Sequence, residues 1–590
     1  MKLNRKIINN RIKMKYRLKS NKSFDMSVKL KSSFIIALLI GMKFLIVPIG
    51  GLASDPDPAN YPALSTQQMG YVRHMINMGN QLDGDFSMMG ETVPVWHMGF
   101  HAYQFQFAFA AYALASAHYH YTPAHRDLYQ KASARLIERM IYKDVWDYWA
   151  NISKYDFTVG RMEGASSMYT EDDWYGWIDP NIKKNIMYSG HLLQMVGLHA
   201  VLFNDDRYDE PGSLTFQFAP LEFGKGPIEM KYDHHRLTKV IYDQFVEDDF
   251  RGIECELNAV YAECNQHPIL GLIHYDYKNG TNLSPIVQKE FKKTMEERHY
   301  ISPETHTTMY YMDVKNDTVI PGAYAWGDGW NGHAQHVWDK AYIEKIYPNQ
   351  KKLYMPSMLQ GEPGEDMGSY VSFDFGWFAL LASEVGDTET VQTMVDYADK
   401  HFQPTWKDGG YYYPTTPDYQ YNFNRDEKGF IKNVGPVTGN VLIGFTSINP
   451  KDGLWQIYNK PFNKSHFLNP YITQVEYLEA NVTQAIYDTK KEALILTLGP
   501  GPVKSETTSF TVRQLDPLIT YKLIIDGQVQ GEINASKGIA LPNINWQSDG
   551  SLQITIVLDK MRSFVLKANS IDTNTVAHET VQTKLTLLNR

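Results

Sequence analysis

The spacing of apolar residues changes character once along this 590-residue chain, and that change limits the folds open to it. From roughly residue 60 to 450 the apolar side chains recur at helical spacing. Phe100–His118, Leu128–Ile141, Ile186–Leu202, Leu237–Val246, Phe373–Glu384 and Thr390–His401 read as helices. Stretches rich in Gly, Trp, Tyr and Asp separate them, at Ser166–Asn181, Pro303–His336 and Met355–Tyr370, and are expected as long loops. Beyond residue 465 the apolar runs become short and β-branched: Val475–Leu478, Val482–Tyr487, Ala493–Leu498, Thr507–Val512, Tyr521–Ile525 and Leu552–Leu558. Gly499-Pro500-Gly501-Pro502 punctuates them, and Asp526-Gly527 is a hairpin signal with Gln528–Gly531 beyond it. The expected fold is therefore mainly α, a toroid of paired helices, followed by a C-terminal β-sandwich. The expected boundaries are 54–460 for the helical domain, 461–568 for the sandwich and 569–590 for a tail.

The N-terminus stands apart from this pattern. Residues 1–32 carry eleven Lys and Arg against one acid, Asp25. An apolar run follows, Phe34–Ile49, broken by Lys43 and Pro48, and then Gly50-Gly51-Leu52-Ala53-Ser54. Basic, apolar and small-residue segments in that order read as a secretory signal peptide over 1–53, with Met26 as an alternative start. A membrane anchor is the weaker alternative, since the run is short for a span. Losing 1–53 removes twelve of the 57 bases and one of the 66 acids, leaving 45 against 65 and a charge near −20. Such a chain repels nucleic acid, so none is expected as a partner. Seven glycosylation sequons beyond residue 53, at Asn151, Asn279, Asn282, Asn316, Asn463, Asn481 and Asn534, fit a secreted chain.

Three stretches could carry chemistry. Met187-Tyr188-Ser189-Gly190-His191 places a histidine on an apolar helix, where it is either a satisfied core residue or an acid/base group. Cys255 and Cys264, the only cysteines, stand nine positions apart. They are open to three readings: a metal site, which lacks further ligands at a known spacing; a disulfide, the first expectation in an oxidising compartment; or a reactive thiol pair. Gly322-Ala323-Tyr324-Ala325-Trp326-Gly327-Asp328-Gly329-Trp330-Asn331-Gly332-His333 reads as an aromatic loop able to line a cavity.

Taken in order, four segments resemble the linalool dehydratase/isomerase family. They are Met98-Gly99-Phe100-His101-Ala102-Tyr103-Gln104, Asn185 to His191, Cys255-Glu256 through Cys264-Asn265, and the Tyr324 segment. The resemblance covers residues 90–450 and leaves out the N-terminal segment and the β-rich part. It implies an (α/α)6 barrel, no metal or organic cofactor, and an active site at the interface of a homo-oligomer. It also implies catalytic roles for Cys255, Cys264, His191, Tyr324 and Tyr103, the last donated by a neighbouring subunit. Met187 matches a pocket methionine. Trp326 and Trp330 are expected to line the substrate site. The family carries an aspartate six residues before its first tyrosine, where this chain has His97, and that departure bears on the acid/base assignment and the substrate.

The implied reaction is dehydration, hydration or isomerisation of an allylic terpene alcohol, with a small apolar alcohol or alkene as partner. Its needs match the residue types. Weak acids such as thiol, imidazole or phenol protonate a poor leaving group, and aromatic faces stabilise an allylic cation. Two other readings remain. A secreted polysaccharide lyase or glycosidase would use carboxylates, drawn from Asp172, Asp173, Asp328, Glu362, Glu365 and Asp366. A non-catalytic secreted binding protein would need no reactive thiol.

Overall fold

A computed structural model describes residues 54–90, 103–153, 155–156, 161–162, 178–219, 227–360, 371–415, 426, 428, 430–431, 434–505, 507–535 and 543–569. The expected signal segment 1–53, His97, Asp172, Asp173, Glu362, Glu365, Asp366 and the tail beyond 569 lie outside the described residues. From Asp55 onward the chain forms one compact unit.

The fold is mainly helical, with a β domain at its C-terminal end. The principal helices are α1 (Thr66–Gly79), α2 (Tyr103–Tyr121), α3 (Arg126–Met140), α4 (Ile186–Phe203), α5 (His234–Glu247), α6 (Gln266–Asn279), α7 (Ser284–Arg298), α8 (Ala325–Gln360), α9 (Val371–Val385), α10 (Thr388–His401), α11 (Ile443–Ile448) and α12 (Gly453–Asn459). Local chemistry sets several of their ends. Ser65 and Gln68 close a capping box at α1. Asp233 and Asp387 accept from backbone N–H groups at the starts of α5 and α10. The helix α4 is buried along nearly its whole length. It is long and apolar enough to span a membrane, yet 94% of that stretch is buried inside the protein, which marks a core helix.

Helices expected from spacing are present, with ends shifted by a few residues. The expectation of a loop over Pro303–His336 is corrected: α8 starts at Ala325, so the Gly/Trp-rich segment is largely helical. Its glycines lower intrinsic helix propensity, but packing overrides this. A Cβ on Gly329 would lie 2.5 Å from the Trp377 carbonyl carbon, so the close approach of α8 to α9 requires glycine there. The helix α6 escaped the spacing because Pro268 stands in its first turn, where the missing N–H costs nothing.

Short antiparallel pairs decorate the helical part. Here β1 (Leu214–Phe218) pairs with β2 (Ile228–Tyr232), and β3 (Ala259–Val260), β4 (Tyr311–Asp313) and β5 (Thr318–Ile320) form a three-stranded sheet. A further hairpin joins β6 (Thr405–Lys407) to β7 (Gly410–Tyr412). The C-terminal part holds β8 (Tyr471–Thr473), β9 (Ala480–Asp488), β10 (Ala493–Pro500), β11 (Thr508–Arg513), β12 (Tyr521–Ile525), β13 (Gln528–Ile533), β14 (Ile544–Trp546), β15 (Leu552–Ile556) and β16 (Arg562–Ala568). They form two antiparallel sheets, in the orders β8-β11-β15-β14 and β9-β10-β16-β12-β13. Residues of both sheets, among them Leu496, Phe510, Leu523, Leu552, Ile554 and Phe564, bury one shared core, as a sandwich does.

The two parts are tied through main chain and a buried arginine. The Ala124 N–H donates to the Ala485 carbonyl at 2.8 Å, and the Ile472 N–H to the Ala124 carbonyl at 2.7 Å. Arg73 of α1 is 1% exposed. Its guanidinium donates to Asn481 Oδ1 at 2.5 Å, to the Ala480 carbonyl at 2.8 Å and to the Tyr477 carbonyl, and lies over the Tyr477 ring. Of the sequon asparagines, Asn279, Asn282, Asn316 and Asn463 are exposed. Asn534 is buried, and Asn481 spends both side-chain atoms on Arg73 and the Pro500 carbonyl.

Candidate active site

Two helices bring a histidine pair together. A Cβ on Gly271 of α6 would lie 2.6 Å from Leu193 Cγ and 3.0 Å from the Gln194 backbone nitrogen, both on α4. With only hydrogen there, the helices close until the His191 and His267 ring centroids are 3.8 Å apart. Both rings are fully buried.

The partners of each ring separate their roles. Trp330 Nε1 donates to His267 Nε2 at 2.5 Å, so the His267 proton sits on Nδ1 and points at Gln194 Oε1, 2.7 Å away. His267 therefore has no nitrogen left for a ligand. His191 Nδ1 lies 2.9 Å from the Tyr112 hydroxyl, which also donates to the His191 carbonyl at 3.4 Å. Nε2 is buried without a hydrogen-bond partner, and in the tautomer whose Nδ1 proton is given to the Tyr112 hydroxyl it is a bare acceptor. Burial holds both imidazoles well below their ordinary range, helped by neighbouring histidines.

Aromatic rings wall this pair. Phe105, Phe109 and Tyr112 share one face of α2, and Phe105 and Phe109 meet His191 edge-on at 5.5 and 5.4 Å. Trp330 stacks on Trp377 at 4.2 Å, bringing α8 against α9.

The cysteines lie on the loop between α5 and α6. Asn265 staples that loop: it accepts from the Ile253 N–H at 2.7 Å and donates to the Ile253 and Tyr261 carbonyls at 3.0 and 2.9 Å. The Ile186 N–H, at the start of α4, donates to the Glu254 carbonyl. Cys255 is thus held close to the start of α4, and Cys264 just before α6. Both are free, buried thiols, and each is among the groups that shift the other's titration. A nearby helix N-terminus lowers a thiol pKa, but desolvation opposes it and prevails. Burial pushes Cys255 well above its usual range and Cys264 to about 11. At neutral pH both are protonated.

Carboxyl groups flank each thiol. Glu256 follows Cys255, Glu263 precedes Cys264, and both are buried with one oxygen lacking a hydrogen-bond partner. Burial raises Glu256 to about 7 and Glu263 well above its usual value. Asp328 is raised to about 6 by burial, against hydrogen bonds to its two oxygens from the Thr308 N–H and the Tyr354 hydroxyl, each at 2.6 Å. Asp374 accepts from the Trp326 N–H at 2.7 Å and is raised to about 8 by burial, with Asp328 adding to the shift. The region thus combines acids that stay protonated at pH 7 (both thiols, Glu263 and Asp374), a Glu256 carboxyl close to half-ionised there, and imidazoles that stay neutral, groups able to pass protons both ways.

The other expected residues fall as follows. Met187 is buried on α4, one turn before His191. Tyr324 stands at the start of α8, stacked on Trp326 and half-buried. Trp326 and Trp330 are buried, and Trp330 gives its N–H to His267. Tyr103 is separated from the cluster: its ring stacks on Phe86 at 4.3 Å, on the face of α2 that also carries Phe107, not the face carrying Phe105, Phe109 and Tyr112. Of the carboxylates considered for sugar chemistry, Asp328 alone lies in the described residues, and its oxygens are already bonded. Spacing alone did not single out Tyr112, His267, Glu256, Glu263, Asp374 or Trp377. The symmetric order Cys255-Glu256 to Glu263-Cys264, followed after Asn265 by Gln266-His267, is the one sequence signal that could have found three of them.

A mainly helical protein with a buried set of proton donors and acceptors is the class this fold and site define. The sequence profile of the linalool dehydratase/isomerase family matches residues 104–419, more than half of the chain, and the chain belongs to that family. Three solved structures to which the chain is similar are distant from it. An inactive variant of the α-1,6-mannanase GH76A of Salegentibacter sp. HEL1_6 is 11% identical, with a TM-score of 0.37, over 66% of this chain and 99% of its own. Dfg5 from Chaetomium thermophilum is 12% identical, with a TM-score of 0.38, over 66% and 92%. The unsaturated glucuronyl hydrolase of Bacillus sp. GL1 is 11% identical, with a TM-score of 0.34, over 68% and 96%.

Proposed function

We propose that this chain adds or removes water at, or isomerises, an allylic alcohol of terpene type, without an organic cofactor. The observation that carries this reading is the pair of neutral, free and buried thiols in a family-matched region that also holds a histidine with one unclaimed nitrogen.

In the dehydrating direction a Cys255 or Cys264 thiol gives its proton to the substrate hydroxyl, which leaves as water. His191 Nε2 takes the proton from the carbon beside the developing cation. Transfer from the imidazolium back to the thiolate restores the site, so alcohol becomes alkene and water with nothing else consumed. Glu256 and Glu263, beside the thiols, relay that proton from the imidazolium to the thiolate. Tyr324 binds the hydroxyl, and Met187, Trp326 and Trp330 shape the apolar wall. Tyr103 completes the site of a second copy in a homo-oligomer. His97 takes the position of the family's aspartate. The same reading includes an (α/α)6 barrel over 54–460, a sandwich over 461–568, and export directed by residues 1–53.

The test is incubation of the purified chain with linalool, geraniol and myrcene, followed by gas chromatography, beside a panel of polysaccharides. Interconversion of the terpenes supports the proposal. Release of reducing or unsaturated sugar ends replaces it with a carbohydrate-active enzyme, and no conversion of either class favours a binding protein.

A further inference from the structure

A second cluster of ionisable side chains lies outside this site, where α8 breaks. Residues eight apart in an unbroken helix are separated by about 12 Å along its axis. His336 and Glu344 are such a pair, but α8 is interrupted at Asp339 (φ −132°, ψ 47°). The interruption brings Glu344 Oε1 to 3.8 Å from His336 Nε2. Asp452, in the left-handed conformation just before α12, places Oδ1 3.8 Å from the same nitrogen. The three donor atoms all lie within 4.8 Å of one another.

Two of them are unclaimed. His336 is fully buried, and its Nε2 and the Asp452 Oδ1 are buried with no hydrogen-bond partner. Leaving such atoms unpaired costs free energy, so their convergence needs a reason. The other face of the imidazole supplies one. His336 Nδ1 lies 3.1 Å from Glu384 Oε1. Glu384 is itself fully buried and accepts from the Leu454 and Trp455 N–H groups and from Asn449 Nδ2, at 2.9, 3.0 and 2.8 Å. A carboxylate fixed in this way holds the proton on Nδ1 and aims the Nε2 lone pair into the gap. Metal-binding histidines are commonly oriented by such a partner.

We propose that His336, Glu344 and Asp452 form a divalent transition-metal site, best matched to Zn²⁺, that clamps both halves of α8 to the start of α12. One imidazole nitrogen and two carboxylate oxygens are a donor set Zn²⁺ accepts, whereas Ca²⁺ and Mg²⁺ favour oxygen alone. Tetrahedral Zn²⁺ needs donor separations of about 3.4 Å, so each carboxylate oxygen closes on the imidazole nitrogen by about 0.4 Å and the gap between the two carboxylates, at most 4.8 Å, by up to about 1.4 Å. Glu344 and Asp452 are 39% and 21% exposed, which opens a path for the ion. Lys340 is the competing cation: its Nζ lies 2.6 Å from Asp452 Oδ2 and 3.8 Å from Glu344 Oε1. It pairs with Oδ2 and leaves Oδ1 facing the histidine.

The test uses the full chain, stripped with chelator and dialysed against Zn²⁺, with bound metal counted by mass spectrometry. One equivalent is expected. Glu344→Gln and Asp452→Asn, on partly exposed side chains that spare the fold, each lower affinity on the order of 10- to 100-fold. Lys340→Met raises affinity by removing the competitor. Replacing Zn²⁺ with Co²⁺ reads the donors directly, since nitrogen and oxygen ligands give visible bands without thiolate charge transfer. No bound metal, affinity unchanged in both carboxylate variants, or a thiolate band that vanishes on replacing Cys255 and Cys264 with Ala would each overturn the proposal.

Discussion

Replacing Glu256 with Gln isolates the effect of a carboxyl group that burial has shifted. Its ordinary value of 4.5 becomes about 7 in the folded chain, because desolvation disfavours the charged form. The sign follows from linkage. Below pH 4.5 the group is protonated whether the chain is folded or not. Between 4.5 and 7 the unfolded chain ionises while the folded chain keeps its proton, so Glu256 costs stability as pH rises, by about 1.4 kcal/mol per pH unit. Above 7 the cost levels off at about 3 kcal/mol. Gln resembles the neutral acid and does not titrate. The variant and the wild type should therefore match within about 1 kcal/mol near pH 4.5, and the variant should be ahead by about 3 kcal/mol at pH 8. Many buried histidines titrate over the same range, but they are common to both proteins and cancel in the difference. Urea unfolding followed by tryptophan fluorescence at half-unit steps measures it. A difference that stays flat with pH, or that favours the wild type at pH 8, would refute the claim that Glu256 is held neutral by burial.

Other expectations follow from the same contacts. Alkylation after denaturation without reductant should add two labels, at Cys255 and Cys264, while the native chain at pH 8 reacts slowly because both thiols are buried and raised; an unlabelled denatured chain would show them joined. Gly271→Ala places a methyl against Leu193 and the Gln194 backbone, and should cost about 1–3 kcal/mol and lower turnover by moving His191 relative to His267; unchanged thermal unfolding and activity would contradict this packing. Arg73→Met removes donors to three acceptors at the junction of the helices and the sandwich, and should destabilise by roughly 3 kcal/mol in urea; a neutral result would mean the junction does not depend on that guanidinium.

The parts of this molecule legible in the sequence are those where one local rule acts. Leu128–Ile141 shows its helix because one face is apolar and the other wet, and Tyr521–Ile525 is found to the residue because Asp526-Gly527 forces the turn after it. Legibility fails where tertiary contact sets the answer. The glycines of Gly322 to His333 argue for a loop by propensity, and only the approach of α9 explains why they are helical. The site divides in the same way. Cys255, Cys264 and His191 were visible through their order along the chain. The Tyr112 hydroxyl and the shifts of Glu256 and Asp374 arise from burial among segments far apart in sequence, which no spacing reveals. Tyr103 was visible as a motif residue, but its buried stack on Phe86, away from the histidine cluster, was not.

The most direct test of the account is terpene turnover in the wild type and in a Cys255→Ala, Cys264→Ala double variant, with thermal unfolding measured on both. The wild type should convert linalool to its alkene or its isomer, the double variant should lose this by orders of magnitude, and both should unfold at nearly the same temperature. Full turnover in the double variant would contradict it.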